Sequence, residues 1–264
     1  TQVFPLPGSI FVHNRLTHSL EVSSVGRSLG ADVARALEGH HNAADTAALE
    51  SISAIVSAAC LAHDMGNPPF GHSGERAIGA YFSEGAGKRW ESFVRAEGGR
   101  WEDFLFFEGN ANAFRLLTHQ FRGRRPGGFA LTYSTVASIV KYPYSSLLSG
   151  GKSKFGFFVT EEETMQEVAE ELGLIRRTTS ALSYARHPLV YLVEAADDIC
   201  YQIMDIEDAA KLHILSREEA QGLLSAFFSE DELREVQQGL RLIADPNEQT
   251  AYLRSKVINL LVEE

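Results

Sequence analysis

From Leu16 onward an apolar residue returns every four or five positions, at Leu16, Leu20, Val25, Leu29, Val33 and Leu37. That spacing draws a stripe along a helix of 3.6 residues per turn and does not alternate across a strand. It predicts an amphipathic helix over 16–38 with the stripe as its buried face. Runs of strict period-2 alternation are absent. Segments 51–65, 73–82, 101–120, 131–140, 161–173, 188–213, 216–228, 230–243 and 248–262 suit helices better than strands. The first of them stops where Gly66-Asn67-Pro68-Pro69 removes backbone donors and fixes φ. The Gly-rich, charged stretch 85–100 reads as a loop, Arg122 to Gly128 as a basic turn, and Ser149 to Lys154 as a Gly/Lys loop. No internal repeat of 20–50 residues is found, and the expected class is all-α.

At roughly 150 residues per domain, 264 residues make one large domain or two small ones. The longest nearly apolar stretch, Ala54 to Ala62, is about half of the roughly 20 residues a bilayer span needs. Thr1 to Gly8 has neither a basic nor an apolar signal region and there is no initiator Met, so the chain is expected to begin inside a longer protein. Cys60 and Cys200 are too few for a disulfide scaffold and make no CxxC pair, which points to a reducing, cytoplasmic setting and to two small core residues. With 35 acidic and 24 basic residues the net charge is −11, which disfavours a dedicated nucleic-acid binder. An acidic chain that handles phosphate must concentrate cations at its site.

His18, the doublet His63-Asp64, and Asp197 are the residues richest in chemistry. Two imidazoles and two carboxylates supply four ligands and two negative charges to one divalent ion, a set that suits a borderline transition metal or Mg²⁺. Their surroundings favour that use. His63 and Asp64 close a helix of Ile52, Ile55, Val56, Ala59 and Leu61, where uncompensated polar groups are costly to bury. Asp197 and Asp198 follow the largely apolar run Leu189 to Ala196, and adjacent buried carboxylates need a cation.

Asn14 to Val22 around His18, the run His63-Asp64-Met65-Gly66-Asn67-Pro68-Pro69-Phe70-Gly71-His72-Ser73-Gly74-Glu75, Glu108 to Ala111, and Glu194 to Ala209 resemble the HD superfamily. More narrowly, they resemble its deoxynucleotide triphosphohydrolases, the dGTPases. The likeness spans positions 2 to about 210. It implies an HD-type helical fold over 1–264, as a fragment without the family's N-terminal and C-terminal segments. It further implies one divalent ion, Mg²⁺, Mn²⁺ or another transition metal, on His18, His63, Asp64 and Asp197, with Asp198 as the alternative to Asp197. The implied reaction is hydrolysis of a dNTP, dGTP favoured, between the 5′ oxygen and the α-phosphorus, leaving deoxynucleoside and tripolyphosphate.

His72 matches the family's catalytic histidine, and Glu75, one helical turn on, would hold it; proton donation and nucleophilic attack both stay open. Arg15 can face the same cleft and pair with phosphate oxygens. Tyr201 and Asp205 match positions that contact sugar and phosphate, Gln2 with Val3 matches a segment closing over the sugar, and Lys141 with Tyr142 matches a phosphate-binding pair; Asn110 joins the substrate contacts. The family forms homo-oligomers, often hexamers, and some members bind single-stranded DNA, for which Arg122 to Arg125 is the candidate contact. The alternatives are an HD-type nucleotide phosphohydrolase or phosphodiesterase on another substrate, and a nucleotide- or DNA-responsive regulatory module with a silent site.

Overall fold

Asn14 starts the first helix by a reciprocal cap: its side chain accepts from the Thr17 N–H, and the Thr17 hydroxyl accepts from the Asn14 N–H. The computed structural model describes residues 14–39, 43–123, 126–150 and 154–263. From that cap α1 runs Arg15–Glu38, and α2, Ala43–Ala62, packs against it. The buried face of α1 takes in only part of the predicted stripe, with Val25 buried and Leu29 packed against the core. It is His18, Ser19, Val22, Ser23, Val25, Gly26, Gly30 and Ala34, while Leu16 and Leu20 are 68% and 54% exposed.

Small residues explain the difference. A Cβ on Gly26 would lie 2.5 Å from Cys60 Sγ and one on Gly30 would lie 2.8 Å from the Ser53 Cα, so the two helices meet nearly backbone to backbone. The buried Ser23 hydroxyl bonds Ser57 between them at 2.8–2.9 Å. Leucines on that face would hold the helices apart.

After α2 the chain turns through His63 to Gly71 into α3, His72–Ser83. The stretch 85–100 is more helical than expected, with a 3₁₀ turn at Ala86–Trp90 and α4 at Glu91–Ala96. Residues 101–120 divide into α5, Glu102–Leu105, and α6, Gly109–Thr118, because the Glu108 side chain caps a new helix by accepting from Asn110 N–H. There follow α7, Tyr133–Ile139, α8, Glu162–Glu171, and the long α9, Val190–Lys211. The C-terminal part is α10, Arg217–Ser225, α11, Glu230–Leu240, and α12, Pro246–Glu263, the first two opened by Ser216 and Ser229 capping boxes.

Among the described residues the β content is three isolated bridges, so the all-α expectation stands. Cys60 and Cys200 sit buried in a core with Val22, Val56, Ala113, Ile139, Val193 and Ala196, drawn from α1, α2, α6, α7 and α9. A second core gathers Phe114, Val136, Phe157, Met165 and Tyr184, and a third joins Ile203 of α9 to Leu224, Val236 and Leu253 of α10–α12. The first core holds α1, the end of α2 and the start of α9 together, and the polar residues at those three places share one cavity.

Candidate active site

His18 is placed by the first turn of α1 and is 2% exposed. Its Nε2 lies 3.0 Å from Asp197 Oδ1, contributed by α9 from 179 residues away. His63 follows the last turn of α2, where its Nδ1 donates to the Cys60 carbonyl at 2.6 Å. That bond fixes the tautomer and turns Nε2 inward, 3.4 Å from Asp197 Oδ1 and 3.6 Å from Asp64 Oδ1. Buried there, Nε2 has no hydrogen-bond partner, and neither has His18 Nδ1. Burial depresses His63, but Asp197 and Asp64 outweigh it and raise its pKa; burial likewise works against Asp197, yet His18 and His63 hold it well below the usual carboxylate range.

One ligand atom from each of His18, His63 and Asp197 falls within 4.8 Å of the others. A buried imidazole nitrogen without a partner, facing a second imidazole and a shared carboxylate, is an arrangement that a cation among them would satisfy. The group therefore forms a possible His/Asp metal site. Asp64 stands at its edge. Its Oδ1 accepts from Asn67 Nδ2 at 2.5 Å, and it is not part of the convergent trio. Asp198 is exposed and lines the cavity without joining the trio.

The turn into α3 carries Phe70 and Gly71 at φ +66° and +53°. With ψ −129°, Gly71 occupies a region closed to L side chains, and Phe70 is strained by its positive φ. The sharp reversal sets His72 at the head of α3. Its Nδ1 donates to Glu75 Oε2 at 2.8 Å, and Glu75, 5% exposed, accepts the Gly109 N–H of α6 on its other oxygen at 2.8 Å. His72 itself is 73% exposed, leaving Nε2 open.

All twelve described residues singled out from the sequence as metal, catalytic or substrate contacts line one cavity of about 680 Å³; Gln2 and Val3 lie outside the described residues. That volume falls within the range of small-molecule sites. Arg15 faces the cleft, but its guanidinium donates to the Asn67 and Pro68 carbonyls at 3.1 and 3.0 Å and more weakly to Asp64 O. Its donors brace the His63–Pro68 turn at the edge of the cavity it lines. Asn110 bonds Glu108 through both backbone and side chain. Lys141 pairs with Glu194 at 2.8 Å, and Glu194 also takes Arg186 at 2.9 Å. The Tyr142 ring lies between Lys154 and Arg186, 5.6 and 5.8 Å from their charges. Tyr201 and Asp205 line the cavity from α9, where burial and Asp208 raise the Asp205 pKa.

The cavity is therefore polarised. Lys141 and Lys154 line it beside Tyr142, whose ring also meets Arg186, and Asp197, Asp198, Asp205 and Asp208 line it from α9. Sequence reading missed Lys154, Glu194 and Asn67 as cavity residues, and Arg186 as the second cationic partner of Glu194. Their signal was weak: a lysine in a Gly-rich loop, an arginine in an irregular segment, and an amide beside two prolines. Of the basic turn, Arg122 is exposed, and Arg124 and Arg125 lie outside the described residues.

The HD domain family matches residues 15–124, which include His18, His63-Asp64, His72 and Glu75. A deoxyguanosinetriphosphate triphosphohydrolase-like protein of Synechocystis sp. is 42% identical over 278 aligned positions, covering 100% of this chain and 60% of its own length. The chain belongs to the HD-domain, deoxyguanosinetriphosphate triphosphohydrolase-like family. A second deoxyguanosinetriphosphate triphosphohydrolase-like protein, from Pseudomonas aeruginosa, is 42% identical over 240 positions, 88% of this chain and 52% of its own. A deoxyguanosinetriphosphate triphosphohydrolase of Yersinia enterocolitica is 35% identical over 254 positions, 83% of this chain and 47% of its own. The chain thus spans about half the length of the curated relatives it matches. Asp197, the residue that closes the metal trio, falls beyond the matched HD segment and inside the stretch shared with the Synechocystis relative. Among the described residues no helix is long and apolar enough to cross a membrane.

Proposed function

We propose that this HD protein hydrolyses a deoxynucleoside triphosphate, dGTP by preference, to deoxynucleoside and tripolyphosphate. One observation carries the reading: His72–Glu75, the His18/His63/Asp197 trio and the Lys141–Tyr142–Lys154 end line a single nucleotide-sized cavity. The whole of 1–264 is read as one HD-type domain. His18, His63 and Asp197 would hold one divalent ion, Mn²⁺ or Mg²⁺, with Asp64 completing the set by releasing Asn67. Such an ion supplies Lewis-acid polarisation of the phosphoryl group and a more acidic bound water.

The chain's own residues do the rest. Glu75 accepts the Nδ1 proton of His72 and orients Nε2 toward the cavity, where a second ring proton, carried on Nε2, can pass to the departing 5′ oxygen, a poor leaving group. Lys141 and Lys154 are held at the cavity by Glu194 and Glu108, and their remaining N–H donors make this the end that receives the tripolyphosphate. Tyr201 and Asp205 face the sugar from α9, and packing there excludes a 2′-hydroxyl.

Self-association fits the surface. Leu16 and Leu20 of α1 and Leu61 and Met65 at the end of α2 are each more than 40% exposed, on two helices that pack together. A homo-oligomer is the reading, and light scattering tests it. Single-stranded DNA remains a candidate effector on the resemblance, with exposed Arg122 as its described contact.

The test is incubation with Mn²⁺ or Mg²⁺ and each of dGTP, dATP, dCTP, dTTP and GTP, with products separated chromatographically. Deoxyguanosine with intact tripolyphosphate, and none from GTP, is expected. Monophosphate with pyrophosphate would move the protein to another nucleotide hydrolase. Binding without turnover would favour a regulatory module.

A further inference from the structure

Glu108 is 1% exposed, an unusual place for a carboxylate whose evident task is to cap a helix. Ser216 and Ser229 do that task for α10 and α11 with exposed hydroxyls. Glu108 does more. Its Oε2 accepts from Asn110 N–H at 2.7 Å, and its Oε1 accepts from Asn110 Nδ2 at 3.0 Å and from Lys154 Nζ at 3.1 Å. Burial pushes its pKa up, while Lys154 and Asn110 pull against that shift.

The next residue ties this cluster to the other side of the cavity. Gly109 donates its N–H to Glu75 Oε1, and Glu75 Oε2 receives His72 Nδ1–H. Gly109 has no room for a side chain, since a Cβ would overlap the Asn67 amide oxygen and stand 3.1 Å from Glu75 Oε1. The first turn of α6 is thus a short bridge from Lys154, through Glu108 and Gly109, to the His72–Glu75 pair.

We propose that Glu108 is a positioning residue: locked between the first turn of α6 and Lys154, its carboxylate sets the Gly109 N–H against Glu75 and so fixes the orientation of His72. In effect the cation meant for phosphate and the histidine meant for the leaving oxygen are held in register by one buried side chain. The effect on rate rests on the proposed hydrolytic function, but the effect on His72 does not.

The experiment uses the full chain with Glu108→Gln and Glu108→Ala. The glutamine variant keeps an oxygen acceptor for Asn110 N–H while losing the ion pair, so the proposal stays testable where the alanine variant fails to fold. Nitrogen-15 NMR of the imidazoles, with His72 assigned from His72→Gln, reads the tautomer. Wild type should show His72 protonated at Nδ1 and Glu108→Gln a mixture of tautomers. With dGTP, kcat in Glu108→Gln should fall on the order of 10²-fold, the cost of a misplaced catalytic group. The same change made in a Glu75→Gln background should add little, because the effect passes through Glu75. An unchanged His72 tautomer overturns the proposal whether or not the protein hydrolyses dNTPs. So does a loss that multiplies fully with that of Glu75→Gln, since that is the behaviour of a plain helix cap. A changed tautomer in a protein without dNTP turnover keeps the positioning role and removes the hydrolytic reading.

Discussion

His72 and Glu75 divide the work of one acid–base unit by exposure, with 73% of the histidine side chain open and the carboxylate 5% exposed. A buried carboxylate with one oxygen on a backbone N–H and the other on an imidazole has little freedom left, so it fixes the ring that solvent would otherwise turn. His72→Ala should lower kcat by about 10²–10⁴-fold, the usual worth of general acid–base help, while metal content stays at the wild-type level. Loss of metal together with activity would show instead that His72 supports the ion.

His187 offers a cleaner electrostatic test, away from the trio. It is partly buried, its Nδ1 receives the Leu189 N–H at 3.3 Å, and burial lowers its pKa below the ordinary histidine value. A base with a depressed folded pKa binds fewer protons folded than unfolded, so its contribution is present above its unfolded pKa and is lost as pH falls through the folded one. Urea midpoints should therefore drop between pH 7 and pH 5 more in wild type than in His187→Asn. Equal drops would assign the acid sensitivity elsewhere.

Among the elements, α1 shows both how much of this protein the sequence discloses and where it stops. Apolar spacing locates the helix within a residue, yet it selects the buried face only in part: Val25 and Leu29 meet the core, while Leu16 and Leu20 face outward. Leucine spacing measures amphipathicity, whereas the packing here is decided by how closely two backbones can approach, and the informative residues were Ser23, Gly26 and Gly30. The same approach brings the His18 and His63 ring centroids to 5.6 Å, so it belongs to the site as much as to the fold. Residues fixed by a local run, such as His63-Asp64 and His72 with Glu75, were legible. Lys154 and Arg186 were not, because loops without periodicity bring them to Tyr142.

Gly30→Leu should accordingly destabilise the protein by about 1–3 kcal/mol through overpacking and weaken metal retention, because it pushes apart the helices bearing His18 and His63. Leu20→Ser, on the exposed stripe, should stay within about ±0.5 kcal/mol in the isolated chain. Chemical denaturation of both variants checks the pair. A larger loss from Leu20→Ser would return the leucine stripe to the core.

Across the whole molecule, three residues separated by 45 and 134 positions in the chain meet at one point, His18 from α1, His63 after α2 and Asp197 from α9. Two imidazoles crowd one carboxylate oxygen, and the buried His63 Nε2 has no hydrogen-bond partner. An ion there would link three segments already packed around the first apolar core, and binding confined to the folded state stabilises it by RT ln(1 + [L]/Kd), about 2.7 kcal/mol at a hundredfold excess over Kd. Stripping metal with a chelator and restoring Mn²⁺ should raise the unfolding midpoint by roughly 2–4 °C for each kcal/mol gained in a chain of this size. Asp197→Ala should abolish that rise, since it removes the oxygen both imidazoles face, while Asp198→Ala should leave it intact. A midpoint indifferent to Mn²⁺ in wild type would mean that the trio is a hydrogen-bonded charge cluster, and an Mn²⁺ response surviving in Asp197→Ala would place the ion elsewhere.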